Sequence, residues 1–467
     1  MPRRAVTPFA ALFAVLGTVA CGNPGARAPS LAASRAPFDS VAGVASFDTA
    51  WARINATYYD TGFRGHDWKA ERLRYRPLAE RASSNAAVRQ AIESLFVKLE
   101  DSHFALIPGE VALAMRGDSV VTDTASPGTS GLQFRFVSDR LVVSQVVAGS
   151  AAAHAGVRAG WELLAIDGLD VPRMLAARQH LSNVRDRRRA ALQIPMRAES
   201  MTRGARGTVL HASFRQGDGK AVRVELSRGS WDGDIIKYGP LPPQYFGFAH
   251  ERYADQQGCV GVIRFNVWMP TLLAKLDRSM ESLASCRGLV LDLRGNTGGV
   301  AALVMGVSGY FVDREVSLGT LAARGTTLQY MVNPRRANRR GERVQPFSGN
   351  LAILVDGLSA STTELFAEGM RDIGRARVFG DTTAGEALPA TMARLPNGDV
   401  LIHAIADFHS ARGRRLEALG VIPDVLVPLT RRDLAQGRDA ALNAALGWVR
   451  SNAVEAGAGV TQRRLLP

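Results

Sequence analysis

The chain has 467 residues, of which 46% are hydrophobic and 21% are charged. This length predicts two or three domains, and this composition is typical of globular proteins and excludes a largely disordered chain. The formal net charge is +14, and arginine supplies nearly all of it because only five residues are lysine. The arginines are scattered and no nucleic-acid-binding motif is present, so we expect no nucleic-acid partner.

The first 21 residues have the pattern of an export signal. Two arginines precede an apolar run from Phe9 to Ala20, which is too short to span a bilayer comfortably. The run ends in Gly-Thr-Val-Ala-Cys-Gly, which resembles a bacterial lipobox with Cys21 as the lipidated residue, although Thr18 stands where Leu is usual. A plain signal peptide is the alternative. Both interpretations predict export to the periplasm or cell envelope, and the first adds membrane attachment as a lipoprotein. Residues 22–45 are predicted to be a flexible linker.

Residues 46–125 are predicted to form a helical N-terminal domain. Apolar residues from Phe47 to Tyr58 recur at helical spacing, and those from Val88 to Leu99 form a second amphipathic pattern. The second pattern ends in Glu-Asp-Ser-His-Phe. Its His103 is, on the general distribution of histidines, more often structural or surface than catalytic.

Residues 126–232 resemble a PDZ domain. Ala151–Gly160 matches its short helix and turn, and Glu162–Gly168 matches the strand that follows. A PDZ loop offers free backbone N–H groups to the C-terminal carboxylate of a peptide, and its sheet edge can accept an added strand. A unit that only regulates or packs is the alternative. We interpret the arginine-rich stretch 185–207 as a solvated insertion and not as a binding site. The carboxylate loop is matched by Gly131, Leu132, Gln133 and Phe134.

Residues 233–450 are predicted to form an α/β core, followed by a loose tail at 451–467. Strands are predicted at 260–265, 289–294, 351–355, 377–379 and 400–408, and helices at 271–284, from about 299, at 362–372 and at 431–450. This alternation indicates a mainly parallel sheet, whose sites lie beyond the carboxyl ends of the strands. Cys259 and Cys286 each precede a strand of one βαβ unit. A disulfide between them is geometrically plausible, and two buried thiols are the alternative.

Two polar segments follow predicted strands of this core. Asn296–Gly299 follows one strand, and Ser359–Ser361 follows another. Ser361 stands just before a predicted helix, where backbone N–H groups can stabilise negative charge on a reacting oxygen. The same Ser-x-x-Glu spacing is also common in helix capping boxes, so Ser361 with Glu364 has a purely structural interpretation as well.

The segments Asp-Leu-Arg-Gly-Asn-Thr-Gly-Gly, which ends at Gly299, and Ser-Ala-Ser-Thr-Thr-Glu together resemble those of the S41 serine peptidases. That family includes the carboxy-terminal processing peptidases and the tricorn core, and the resemblance covers roughly residues 46–450. It implies a ClpP/crotonase-like α/β core with an N-terminal helical segment and an inserted PDZ-like β-rich domain. It implies Ser361 as the nucleophile and a backbone oxyanion donor at Gly298 or Gly299. The N–H of Thr362 is the second candidate donor.

The resemblance also bears on the general base. The processing-peptidase branch uses a lysine after the nucleophile helix, but here Glu386 stands at that position and no lysine lies C-terminal to Ser361. The tricorn-like branch uses a Ser-His pair and a glutamate in a Glu-x-x-Gly-Val-x-Pro-Asp segment. Ser102, His103 and Glu417 match that pattern, and the resemblance implies that they act with the nucleophile. His409 is the fallback base.

Two functions follow from this sequence. The first is an exported serine endopeptidase that cleaves unfolded or C-terminally exposed polypeptides through an acyl-enzyme intermediate. The alternative is a catalytically inactive S41-fold protein that binds apolar ligands or peptide C-termini. We expect no cofactor and no metal, because the remaining histidines lack zinc-ligand spacing with Cys or carboxylates. The sequence does not specify an oligomeric state.

Overall fold

The structure is a computed structural model that describes residues 13–14, 38–114, 127–181, 183–231, 233–239, 241, 243–256 and 258–451. The predicted lipobox residue Cys21 and nearly all of the predicted tail lie outside the described residues. A two-residue strand, β1 (Phe13–Ala14), is described within the predicted export signal. No helix of the described part of the chain is long and apolar enough to cross a membrane.

The N-terminal layer is mainly helical. The Asp39 carboxylate accepts the N–H of Ala42 at 3.0 Å and so caps the first helix, which begins inside the predicted linker. The helical prediction does not hold immediately after His103, where the chain forms a strand that pairs with the core. The elements are α1 (Ser40–Thr57), a 3-10 turn (Phe63–Gly65), α2 (Trp68–Glu80), α3 (Asn85–Leu99), β2 (Ala105–Ile107) and α4 (Gly109–Ala114).

A β-rich unit, which we call the insert, follows. Its main sheet has the order β10-β9-β6-β5-β4 with β7 beside β6, so β4 is an edge strand. It has its own hydrophobic core, which includes Phe134, Ile166 and Phe214. The elements are β3 (Pro127–Thr129), β4 (Leu132–Val137), β5 (Arg140–Val146), α5 (Ala151–His154), β6 (Glu162–Ile166), β7 (Leu169–Asp170), α6 (Val171–Gln179), α7 (Val184–Thr202), β8 (Arg203–Ala205), β9 (Val209–Arg215), β10 (Ala221–Ser227) and β11 (Gly229–Ser230).

The C-terminal half is an α/β core. Its first strands and helices are β12 (Asp234–Ile236), β13 (Gln244–Phe246), β14 (Phe248–Asp255), β15 (Gly258–Phe265), α8 (Leu272–Leu283), β16 (Gly288–Asp292), β17 (Gly299–Val300), α9 (Leu303–Ser308), β18 (Val316–Ala323) and β19 (Thr326–Val332). It continues with β20 (Asn350–Val355), α10 (Thr362–Asp372), β21 (Arg377–Gly380), β22 (Ala390–Arg394), β23 (Val400–Ala404), β24 (Ala406–Ser410), β25 (Val425–Leu426), α11 (Arg431–Ala435) and α12 (Ala440–Ser451).

The central sheet has the order β14-β15-β16-β20-β21-β25. All of its neighbours are parallel except β14 and β15, which confirms the predicted mainly parallel α/β fold. A second sheet has the order β17-β1-β22-β23-β2. Its strands β22, β23 and β2 connect the core to the N-terminal layer, and β1 of the predicted export signal lies between β17 and β22. In this sheet Leu106 of β2 pairs with Leu401 of β23, and both residues are buried beneath the helices. This pairing fixes the chain immediately after His103 against the core.

The structure differs from the sequence-based prediction at three further places. The stretch from 185 to 207, predicted as a solvated insertion, is mostly the helix α7, and Leu192, Ile194 and Ala198 in it are buried. The predicted strand 400–408 is divided into β23, which pairs with β22, and β24, which pairs with β18 in a different sheet. The predicted helix over 431–450 is divided into α11 and α12.

Cys259 and Cys286 are joined by a disulfide across the βαβ unit, and both side chains are buried. Cys259 lies at the start of β15, and Cys286 lies between α8 and β16. The disulfide therefore closes one complete strand–helix crossover of the central sheet.

Candidate active site

Ser361 lies at a sharp turn between β20 and α10. Its backbone angles, φ 60° and ψ −122°, are rare for a residue with a side chain and indicate stored backbone strain. The Glu364 carboxylate accepts the Ser361 N–H at 2.8 Å. The Asp356 carboxylate accepts the N–H groups of Leu358 and Ser359 at 3.0 and 3.1 Å. These two carboxylates hold the turn in its strained form.

A continuous chain of hydrogen bonds runs from Ser361 into the interior. The Ser361 hydroxyl lies 3.0 Å from Nε2 of His103, and Nδ1 of His103 lies 2.7 Å from the Ser102 hydroxyl. The Ser102 hydroxyl donates to Glu417 Oε2 at 2.9 Å, and the Ser102 N–H donates to Glu417 Oε1 at 2.9 Å. The structure thus brings together four residues from three distant segments of the chain.

The order of donors in this chain determines the histidine tautomer. A serine hydroxyl has one proton, and Ser102 gives it to Glu417, so Ser102 must accept a hydrogen bond from Nδ1–H of His103. Nε2 then carries the lone pair and accepts the hydroxyl proton of Ser361. This is the tautomer that a base acting on Ser361 requires.

The imidazole of His103 is buried. Burial, with a smaller contribution from the positive charge of Arg189, lowers the pKa of His103 to about 3, while Asp101 opposes that shift. His103 is 5% exposed and Ser361 has no exposed surface. His103 is therefore neutral across the physiological range, while its burial disfavours the imidazolium.

The candidate oxyanion donors lie beside the serine. A Cβ atom on Gly298 would stand 2.7 Å from Cβ of Ser361, and one on Gly299 would stand 2.3 Å from the carbonyl oxygen of Trp268. Both glycines have positive φ, 97° and 144°. The Gly298 N–H donates to Asn296 Oδ1 at 3.0 Å. Thr362 begins α10, so its N–H belongs to the first helical turn, whose N–H groups have no acceptor within the helix.

The loop predicted to bind a carboxylate lies in the insert, from Gly131 into β4. Gly131 has φ 82°, and its N–H donates to Thr129 Oγ1 at 3.1 Å. The Phe134 N–H donates to the carboxylate of Glu199 at 3.1 Å. Leu132 and Gln133 begin the edge strand β4.

Several contacts of the site had no signal in the sequence. The Asp101 carboxylate, next to Ser102, accepts hydrogen bonds from the hydroxyls of Tyr58 and Tyr59 and from Arg64. Burial alone would raise the pKa of Asp101, but these hydrogen bonds leave that pKa below its ordinary value.

The predicted alternative base, His409, lies in β24 opposite Thr320 of β18.

Glu386, which stands where the processing peptidases have lysine, is 7% exposed and makes an ion pair with Arg189 of α7 at 3.4 Å. Burial raises the pKa of the neighbouring Glu364 to about 7, even though that carboxylate accepts several hydrogen bonds. The Glu386 N–H is one of their donors, at 3.1 Å.

A mainly parallel α/β sheet with a serine–histidine pair beyond the ends of its strands defines an α/β serine hydrolase class. Residues 259–427 match peptidase family S41, and residues 45–96 match the tricorn protease C1 domain. Most of the α/β core is therefore an S41 peptidase domain, and the enzyme class is that of the serine-type peptidases. The sequence-based predictions of family, fold and enzyme class are therefore confirmed.

Similar proteins cover most of the chain. A carboxyl-terminal-processing protease of a Picosynechococcus species is 25% identical over 81% of this chain and 82% of its own length. The carboxy-terminal processing protease CtpA of Bacillus subtilis is 22% identical over 75% of this chain and 66% of its own. The solved structure of a photosystem II D1 C-terminal processing protease superposes with TM-score 0.57 at 20% identity, over 88% of this chain and 98% of that one. Mature CPAF superposes with TM-score 0.58 at 14% identity, over 90% and 99%.

The close approach of Gly298 to Ser361 makes a first prediction. Gly298→Ala would place a methyl group against Cβ of Ser361 and disturb the neighbouring backbone, so we expect the rate of Ser361 labelling by a fluorophosphonate to fall about a hundredfold or more, which is the usual cost of losing one oxyanion donor. Gly306→Ala in α9 is the matched control, because its nearest neighbour would be 3.6 Å away. Equal labelling of the two variants would contradict this account of the site.

The low pKa of His103 makes a second prediction. A histidine with an ordinary pKa near 6.5 is about nine-tenths protonated at pH 5.5, which would cut labelling of Ser361 about tenfold relative to pH 7.5. Because the pKa of His103 is lowered to about 3, we expect the labelling rate at pH 5.5 to stay within about twofold of the rate at pH 7.5. Circular dichroism at both pH values checks that the fold is intact. A tenfold decrease centred near pH 6.5 would show that the base is not buried in the free enzyme.

Proposed function

We propose that this chain is an exported serine endopeptidase that cleaves unfolded or C-terminally exposed polypeptides. The observation that carries the proposal is the unbroken hydrogen-bond chain from Glu417 through Ser102 and His103 to Ser361. The C-terminal processing activity named for the similar proteins supports polypeptides as the substrate class.

The geometry supports a division of roles in acyl transfer. His103 Nε2 takes the hydroxyl proton as the Ser361 oxygen attacks the scissile carbonyl carbon, and it later returns that proton to the leaving amine. Glu417 acts through Ser102 and stabilises the imidazolium that forms between these steps. The C-terminal fragment leaves as a free amine. Water then attacks the acyl-enzyme, with His103 again as the base.

The oxyanion is assigned to backbone donors beside Ser361. The Thr362 N–H stands at the start of a helix of eleven residues, where the helix dipole favours negative charge. The second donor is the Gly298 or Gly299 N–H. If it is Gly298, that N–H must leave Asn296 Oδ1, so this donor becomes available only when the turn shifts.

Turnover of an unfolded protein by the mature chain tests the proposal. We expect Ser361→Ala to abolish cleavage of a reduced and alkylated model protein. We expect His103→Ala and Glu417→Gln to lower kcat on the order of 10² to 10⁴, the usual contribution of a positioned acid–base group. His250→Ala is the control, because His250 is an exposed histidine on the edge strand β14.

The outcomes of this experiment separate the two functions. If the wild-type chain is as inert as Ser361→Ala and a fluorophosphonate labels neither, even with the unfolded polypeptide present, the chain is an S41-fold binding protein. If cleavage depends on Ser361 and persists in His103→Ala, the peptidase remains and the base is another residue, with His409 the next to test.

Export is supported by two independent features. The first 21 residues have the pattern of a signal, and the structure has a disulfide between Cys259 and Cys286, a bond that persists in oxidising compartments. We propose that Cys21 becomes the lipidated N-terminal residue of the mature protein, which holds it at a membrane surface.

The lipobox assignment makes its own prediction. In a bacterial host, Cys21→Ala should move the protein from the membrane fraction to the soluble envelope fraction, because the acyl chains would be absent. Labelling with an alkyne fatty acid should be lost in the same variant. Cys259→Ala, which leaves Cys21 intact, is the control for labelling. Soluble, unlabelled wild-type protein would show that the signal is a plain signal peptide.

A further inference from the structure

Helix α7 lies between the insert and the active site and contacts both. Its N-terminal half packs against the core, where Leu192 is buried with Leu358, Ala360 and Ala384. Met196, one turn further along the helix, packs against the same cluster. Ala360 immediately precedes Ser361 in the chain. The apolar side of α7 therefore rests on the turn that carries the serine.

Polar contacts attach the same half of α7 to the other two segments of the site. Arg189 Nη2 donates to the carbonyl of Asp101 at 2.7 Å, and Arg189 Nε faces Glu386 at 3.4 Å. Arg188 donates to the carbonyl of Ala418. Asp101 precedes Ser102, and Ala418 follows Glu417, so α7 touches the chain beside every member of the hydrogen-bond chain. Ser361 has no exposed surface in this arrangement.

The C-terminal half of α7 places a carboxylate in the loop predicted to receive a peptide carboxylate. Glu199 Oε1 accepts the N–H of Phe134 at 3.1 Å and Nη1 of Arg135 at 3.0 Å. Phe134 lies in β4, the edge strand of the insert's sheet. A backbone N–H together with a guanidinium is a strong carboxylate receptor, and here a side chain of the same molecule fills it.

Arg135 also connects this receptor to the turn at Ser361. Its Nε donates to Asp356 Oδ2 at 2.6 Å. Asp356 Oδ1 in turn accepts the N–H groups of Gly295 and Ser359, one from each of the two segments that flank the site. The guanidinium is thus shared between the carboxylate in the receptor and the carboxylate that holds the nucleophile turn.

We propose that α7 is a displaceable plug and that Glu199 occupies the position of a substrate's C-terminal carboxylate. A polypeptide with a free C-terminus takes Phe134 N–H and Arg135 from Glu199, and the N-terminal half of α7 then leaves the cleft above Ser361, while Ile194 and Ala198 keep the rest of the helix in the insert's core. This inference rests on the proposed peptidase function of the site that α7 covers. Exchange of one carboxylate for another preserves the charge-assisted hydrogen bonds, so the added contacts of the bound peptide drive the displacement.

Because Glu199 is tethered, it competes at a high effective concentration and lowers the apparent affinity for peptides. Removing its charge should therefore tighten peptide binding. The sharpest test uses Ser361→Ala, which cannot turn over, with fluorescein-labelled ten-residue peptides that have apolar C-terminal residues. Each peptide is made with a free C-terminal carboxylate and as the amide.

We expect Glu199→Gln in this background to bind the free-carboxylate peptides about tenfold more tightly than Ser361→Ala alone, by fluorescence anisotropy. The amides should bind weakly to both proteins. Asp186→Asn is the matched control, because it removes an exposed carboxylate from the first turn of the same helix. Equal affinity with and without Glu199, equal affinity for acid and amide, or no binding of any peptide to the Glu199→Gln protein would overturn the proposal.

Hydrogen exchange tests the plug separately from the receptor. In Ser361→Ala, a saturating free-carboxylate peptide should accelerate amide exchange in the N-terminal half of α7, from Val184 to Leu192, and the amide should not. Binding of the peptide with unchanged exchange in α7 would overturn the plug. Peptide affinity and hydrogen exchange do not depend on catalysis. If the wild-type chain cleaves nothing but Glu199→Gln still tightens peptide binding, the peptidase proposal is refuted and the plug proposal stands.

Discussion

The hydrogen-bond chain that ends at Ser361 is the constraint on which the rest of the structure depends. It joins residues 102–103, 361 and 417, which come from three separate segments, and it operates in an interior from which water is nearly excluded. A buried polar network is stabilising only when every member has its partners, because an unpaired group there keeps its full desolvation cost. Each of the three segments accordingly has its own anchor.

These anchors have a common form, in which a buried carboxylate accepts hydrogen bonds from the backbone or from fixed side chains. Glu417 accepts the N–H of Ala387 at 2.9 Å in addition to its contacts with Ser102. Asp101 is held by two tyrosine hydroxyls and Arg64, and Glu364 accepts Thr383 and the N–H groups of Ser361 and Gly385. The strain at Ser361 persists because the surrounding hydrogen bonds over-determine its position.

Much of the core could be predicted because its signals are local. Alternation of strands and helices predicted the parallel sheet. The resemblance of short segments around Ser361, His103 and Glu417 to family S41 pointed to residues that the structure brings within hydrogen-bonding distance. The anchors escaped prediction because their partners are remote. Nothing near Asp101 in the sequence indicates that Tyr58 and Tyr59 donate to it. The sequence left the pairing of Cys259 and Cys286 undecided for the same reason, because it depends on where the chain places Cys286 after α8.

Helix α7 shows how composition can mislead. Its arginines suggested a solvated surface, yet Leu192, Met196 and Glu199 recur at helical spacing and face the core and the carboxylate receptor, while Ile194 and Ala198 pack into the insert. A helix between two units needs two narrow apolar stripes, and neither stands out against the charged residues that separate them. Arg188 and Arg189 are part of the contact with the core and not of a solvated face.

The plug and the base are coupled through charge and solvation. With α7 in place, burial and the positive charge of Arg189 both disfavour the imidazolium of His103, which is the species that must form as Ser361 attacks. Departure of α7 takes the Arg189 charge away and admits water and substrate, and both changes make His103 easier to protonate. Glu386 supports this arrangement, because a lysine at that position would repel Arg189 instead of pairing with it. Glutamate at this position therefore suits the proposed peptidase, in which histidine is the base and an arginine-bearing helix closes the site. When α7 moves away, Ser361 becomes accessible and His103 becomes easier to protonate at the same time.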